Sequence, residues 1–512
     1  MKKLLLTLLF VTFILIGYSQ TIKSTISDEF RSSINTVNAI KTENGYISYF
    51  EIGTKDHLKY GFGWNKVRLA IRIVLYDNSM KEVKMVDLSE GQKIYGPIMT
   101  DLRQIGDKIY FIYHEIQEKN TIGNIMAVEI NSKTLEVGIP KIIGNVNSTS
   151  LKLGFSENLQ NEFKYFIVQS PDSKKYSFFM TDGRQQYFMS VLDENCNVLW
   201  SKNDKIDEYH SFNYQNVCID NSGNVYLAMH FNNRKVEEIN TNNRVYVFRK
   251  NGNPIILNLQ VKDGAINNFK VLASKKENSV LVAGFYACVP GYINGSFYGT
   301  ISSETFKINF LNSYKFSDSL LTTFANDGWA LTKKKEYGLC SSMDFRVLEL
   351  DNGNIDLVSE IKLISGMNDP RPYQVAGDIL NVGFLKTGPV YSHIPKYRRT
   401  YSASFGNTFY TIAHQDKVIV FYNDNLKNIT NPLSLKPINA DGNNSEVLAT
   451  GVFDLKGNVD RQLIYDSKED HYISIPETTK YLGLGKIMIP FVSSKTSIAD
   501  SDKMKLCSIE IQ

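Results

Sequence analysis

Residues able to do chemistry gather most densely at Lys396-Tyr397-Arg398-Arg399, with His393 three positions upstream. Arginine forks beside aromatic rings suit a carboxylate, sulfate or phosphate, and the ring faces suit sugars or bases. The competing reading is a solvated loop between strands, its Arg stems covering apolar surface. Trp64 and Trp329 each follow a glycine in loop-like sequence and fit a surface or funnel role, whereas Trp200 lies inside the strand pattern Val198-Leu199-Trp200 and fits the core. The ligand-binding candidates are therefore His393, Lys396, Tyr397, Arg398, Arg399, Trp64 and Trp329.

Catalytic signals are absent by the same kind of inspection. His114-Glu115 pairs an imidazole with a carboxylate, but neighbours on a strand point to opposite faces and do not meet. His210 and His230 read as packed or hydrogen-bonded imidazoles. No G-x-S-x-G elbow, H-E-x-x-H, P-loop or dinucleotide fingerprint occurs, so no catalytic residue is assigned. Carboxylates of a glycosidase need no motif, since distant Asp and Glu can converge, which keeps an enzyme open as an alternative. The oxygen-rich runs Asp220-Asn221-Ser222-Gly223, Asn423-Asp424-Asn425 and Asp466-Ser467-Lys468-Glu469-Asp470 lack the spacing of a calcium loop. Asx turns account for them, and neither a metal nor a cofactor is expected; a structural Ca²⁺ has no spacing to support it.

These residues must be positioned by strands. The chain has 29 Tyr and 29 Phe against 7 His and 5 Cys in 512 residues, a balance that favours sheet and disfavours zinc or haem chemistry. Runs such as Gly45–Ile52, Val67–Tyr76 and Lys108–Tyr113 alternate with Asn-Gly turns at 44–45, 251–252 and 352–353. A longer turn grammar repeats in Asp220-Asn221-Ser222-Gly223-Asn224, Asp351-Asn352-Gly353-Asn354 and Asp454-Leu455-Lys456-Gly457-Asn458, and Asp193–Asn197 is a variant with Cys196 where Gly would stand. Only Asp318–Leu331 reads equally as helix.

Grouping the strands by fours divides the chain near 36–88, 97–143, 151–202, 209–261, 266–311, 335–398 and 399–460, with a last piece at 462–512. Repeated four-stranded units predict an all-β fold, a single closed β-propeller of about seven blades, with six or eight also compatible. The final strand Lys505–Ile511 is expected to complete a blade begun at the N-terminus. A variant of this architecture puts a small β-subdomain at 432–512.

Residues 1–19 have the three parts of a secretory signal: Lys2-Lys3, the apolar run Leu4–Ile16, and Gly17-Tyr18-Ser19. Thirteen apolar positions make a helix of about 20 Å, too short to span a bilayer. The domain would then be residues 20–512, exported to the periplasm or beyond, and no membrane span is expected. Without Lys2 and Lys3 the chain carries 55 basic against 53 acidic residues, +2 overall, which argues against nucleic acid as partner. The scattered Cys196, Cys218, Cys288, Cys340 and Cys507 form no disulfide framework; Cys196 with Cys218 is the pair to test first.

The segment Gly377-Asp378-Ile379-Leu380-Asn381-Val382 with Gly388, His393-Ile394-Pro395-Lys396-Tyr397, Ser402 and Val418–Asn425 resembles secreted, mostly uncharacterised proteins of Bacteroidota with propeller-like repeats. Tyr397 departs from the polar residue that usually follows Pro-Lys there. The resemblance implies origin and fold class and transfers no catalytic residue. The function expected is a secreted, non-enzymatic binding or assembly module for a protein, peptide or glycan. The alternative is a carbohydrate- or peptide-processing hydrolase or lyase with carboxylates at the channel mouth.

Overall fold

The computed structural model describes residues 22–32, 38–53, 69–88, 100–117, 121–145, 164–181, 186–206, 212–231, 243–288, 292–326, 339–340, 342–365, 373–396, 399–402, 409–430, 446–466, 468, 471–483, 485–493 and 502–511. They build eight antiparallel blades of four main strands each. The innermost strands are Asn38–Thr42, Thr100–Ile105, Lys164–Gln169, Phe212–Ile219, Ala265–Ala273, Ser342–Glu349, Phe409–His414 and, in blade eight, Tyr472–Ser474 with Lys480–Gly483. In blades one to seven the strands follow chain order outward from these. None of the helices among the described residues is long and apolar enough to cross a membrane.

The expected closed ring of about seven blades is corrected. The described residues form eight blades, and among them no sheet continues hydrogen-bonded from one blade into the next. The contacts between the two ends of the chain are local: Ile22–Ile26 pairs with the last strand in register Ile22↔Ile511 to Ile26↔Cys507, and Met488, Met504 and Leu506 pack on Tyr46, Phe50 and Val74 of blade one. Seven was an undercount because blade eight draws its outer strand from the other end of the sequence, so 462–512 reads as an incomplete piece.

The core is a set of apolar layers between neighbouring blades. Between blades three and four, Phe179 stacks on Tyr187 at 5.9 Å, and Tyr187 meets Phe248 at 5.2 Å. Burying each such ring contributes roughly 1.5–3 kcal/mol, which is where the abundant Tyr and Phe are used. The helix Asp318–Asn326 fills one layer with Leu320, Leu321 and Phe324, and the Ser317 hydroxyl accepts the Leu320 N–H at 3.2 Å as its cap.

Cys196 packs in the layer between blades two and three, and Cys218 in that between four and five. The two face away from each other across adjacent blades and are free thiols, which corrects the expectation that they be tested as a pair. Burial pushes both thiols up.

Turns between first and second strands and between third and fourth share one end of the blades. In Asp193–Asn197, Asp220–Asn224 and Asp454–Asn458 the Asp Oδ1 accepts the N–H groups of the third and fifth residues at 2.8–2.9 Å. The fourth residue takes positive φ: +87° at Gly223, +83° at Gly457 and +59° at Cys196, so Cys196 does occupy the glycine position. In the Gly353 turn the first position is Leu350, not Asp351, because the Gly353 N–H bonds the Leu350 carbonyl. At the opposite end lie the longer connections, including those after Gly53, Asn145, Phe231, Lys315 and Ile394.

Candidate functional site

Lys396, the first cation of the predicted cluster, follows the last strand of blade six, Gly388–Ile394, and is almost wholly buried at 1 % exposure. Its Nζ lies 2.7 Å from Glu360 Oε1, and Lys362 Nζ stands 4.0 Å from Glu360 Oε2. The Lys396 N–H donates to Asp378 Oδ1 at 3.3 Å. All four residues are buried, so two cations and two carboxylates neutralise one another inside the blade. Lys396 is therefore interior, which corrects the solvated-loop reading for that residue.

The other candidates divide. His393 is half-buried, its imidazole 5.3 Å from the Phe324 ring of the layer helix, as expected of a packed histidine. Arg399 opens the short strand Arg399–Ser402, registered opposite Ala376. Tyr397, Arg398, Trp64 and Trp329 lie outside the described residues. His230 Nδ1 lies 2.9 Å from Asn243 Oδ1, which accepts the hydrogen bond, a structural contact.

A different place brings polar side chains together. The innermost strands of blades one, two, three and eight enclose a cavity of about 320 Å³ on the axis, lined among others by Arg103, Gln104, Gln169, Lys480 and Tyr481. On the blade-two strand Leu102 and Ile105 are buried, and Leu102, Arg103 and Gln104 all border the cavity. Asp101 anchors the arrangement. It accepts Arg103 Nε at 2.8 Å and the Leu102 N–H at 2.9 Å, and Asn38 Nδ2 of blade one donates to it as well.

Charge dominates the electrostatics here. Burial lowers the Lys480 ammonium; Asp101 opposes this, and the guanidinium groups of Arg103 and of Arg346 in blade six lower it further. Burial also acts against the Arg103 guanidinium, but the charge and hydrogen bond of Asp101 outweigh it and hold Arg103 above its ordinary value. Burial pushes the Tyr410 hydroxyl up to about 12, with Arg346 and a hydrogen bond to the Tyr481 main chain opposing. Arg346, Tyr410, Lys480 and Arg103 thus feel one another across the axis.

Sequence reasoning missed these residues because they are dispersed over some 380 positions, unlike the contiguous basic run. One signal was available. Asp101-Leu102-Arg103 and Asp344-Phe345-Arg346 repeat the same spacing on the first strands of two blades, with Leu102 and Phe345 buried between the charges. The acidic turns use their oxygens internally: both Asp220 oxygens accept donors of their own turn and of Tyr226. Among the described residues no group of three or more His, Cys, Asp and Glu could hold a metal ion.

No family model matches the chain, and no curated protein does. Among solved structures it is similar to a member of the DUF4221 family from Bacteroides vulgatus, at 9 % identity and a TM-score of 0.36, covering 97 % of this chain and 98 % of that one. It is similar to the β-propeller domain of the Trilobed protease from Pyrococcus furiosus, at 8 % identity and a TM-score of 0.37, covering 87 % and 98 %. A polysaccharide lyase, Uly1, matches at 11 % identity and a TM-score of 0.39, covering 82 % and 93 %.

Proposed function

We propose that this chain is an exported, non-enzymatic binding module whose eight blades form a rigid platform and whose ligand enters the axial cavity. The observation that carries the reading is the convergence of Arg103, Gln104, Gln169, Lys480 and Tyr481 on one cavity from rigid strands of three blades. Concave sites with a few fixed polar groups are the usual form of a ligand pocket. The alternative, a carbohydrate- or peptide-processing enzyme, asks for paired carboxylates on the axis. The carboxyl pushed up to about 6 is Asp356, buried on a second strand against Asn381 and away from the axis. Asp101 is held by Arg103.

The test is to incubate the exported protein with envelope polysaccharides and peptides, following binding by calorimetry and product release by reducing-end and absorbance assays. Saturable binding without product is expected, and steady release of shortened product would overturn the reading. N-terminal sequencing of the exported protein should begin at Gln20; a start at Met1 would remove the export step.

A further inference from the structure

We propose that the ligand of the axial cavity is anionic, its carboxylate, sulfate or phosphate group held between Arg103 and Lys480. The inference rests on the binding-module reading and names its ligand class. Arg103 and Lys480 both line the cavity, and the carboxylate beside them is already committed: Asp101 takes the Arg103 Nε–H, the Leu102 N–H and the Asn38 amide. Among the described residues Asp101 is the hydrogen-bond partner of Arg103 through Nε alone, so the terminal Nη groups remain for a ligand. The side chains of Lys480 and Arg346 make no hydrogen bond or ion pair to any described residue, in contrast to Lys396 with its Glu360. A half-enclosed cavity lined by excess charge of one sign focuses the field on a counter-ion. The like-charge repulsion that lowers Lys480 is a cost that an anion would remove. Tyr481 and Leu482 line the same cavity, adding apolar residues to its wall.

The experiment is calorimetric titration of the full exported chain at low ionic strength with galacturonate oligomers, inorganic sulfate, inorganic phosphate and neutral galactose oligomers. Wild-type protein should bind at least one anionic probe and not the neutral sugar; the carboxylate arm against the sulfate and phosphate arms tells which anion fits. Lys480→Gln should weaken that binding about tenfold or more, the scale of a lost charged hydrogen bond, with melting temperature unchanged or slightly raised, and Arg346→Gln, which removes a charge acting on Lys480, should weaken it less. Lys480→Arg should retain most of it. Unchanged affinity in the double variant overturns the proposal. Equal binding of neutral oligomers, abolished by Gln169→Trp, overturns the anion claim while the module reading stands. No binding by charged, neutral or peptide ligands overturns both.

Discussion

Two lysines of this chain, Lys396 in blade six and Lys480 on the axis, are set in opposite electrostatic surroundings. Lys396 is fully buried with Glu360 at 2.7 Å and belongs to a neutral group of four charges. Lys480 is half-buried, faces a cavity, and has two guanidinium groups acting on it against the single carboxylate of Asp101. The basic run that draws the eye in the sequence contributes its first cation to the interior. The dispersed cations form the open site. A buried charge without its partner is costly, so Lys396 sits beside Glu360 where burial is complete; a cavity open to water tolerates an excess.

The strongest way to break this comparison is Lys396→Ala, which removes the cation 2.7 Å from Glu360 and keeps Lys362 at 4.0 Å. Denaturant unfolding should show a loss of about 3–5 kcal/mol, while Lys396→Met combined with Glu360→Gln should recover much of it. A loss below about 1 kcal/mol would place Lys396 with the exposed lysines.

The next effect concerns a buried carboxyl with no cation. Burial pushes Asp356 up to about 6, its one hydrogen bond being from Asn381 Nδ2 at 2.8 Å. The folded state therefore holds a proton that the unfolded chain has released between about pH 4 and 6. Stability is greatest below this window and falls as pH rises through it, by roughly 3 kcal/mol in total. Unfolding titrations of wild-type and Asp356→Asn should differ in slope there, and parallel curves would contradict the assignment.

A smaller loss is expected at the turn end. Asp454→Ala removes the acceptor for the Lys456 and Asn458 N–H groups, both in an exposed turn, and should cost about 1 kcal/mol. Smallest, and of opposite sign, is Lys480→Gln. Relief of repulsion from Arg103 and Arg346 should leave stability unchanged or raise it by up to about 1 kcal/mol, more at low salt than at high salt. A clear loss of stability would make Lys480 a structural partner like Lys396.

Much of the fold was legible because its signals are local. The unit predicted at 209–261 is blade four, with strands Phe212–Ile219, Val225–Phe231, Asn243–Phe248 and Ile255–Asn258. Strand period and Asx-turn chemistry need only neighbouring residues, and Cys196 standing for glycine was readable from its frame alone. The blade count was not, since the last blade joins Ile22–Ile26 to Asp502–Ile511. The axial site was not either: Arg103, Gln169 and Lys480 come from blades two, three and eight.

The sequence by itself determined an all-β chain of four-stranded units, a near-neutral charge and the turns that end the strands. Each follows from backbone preference and side-chain alternation over a few residues. Tertiary structure decided which charges are buried and which remain open. That choice depends on desolvation and on partners brought together from distant blades, so Lys396 met Glu360 inside blade six while Lys480 met two arginines across the axis.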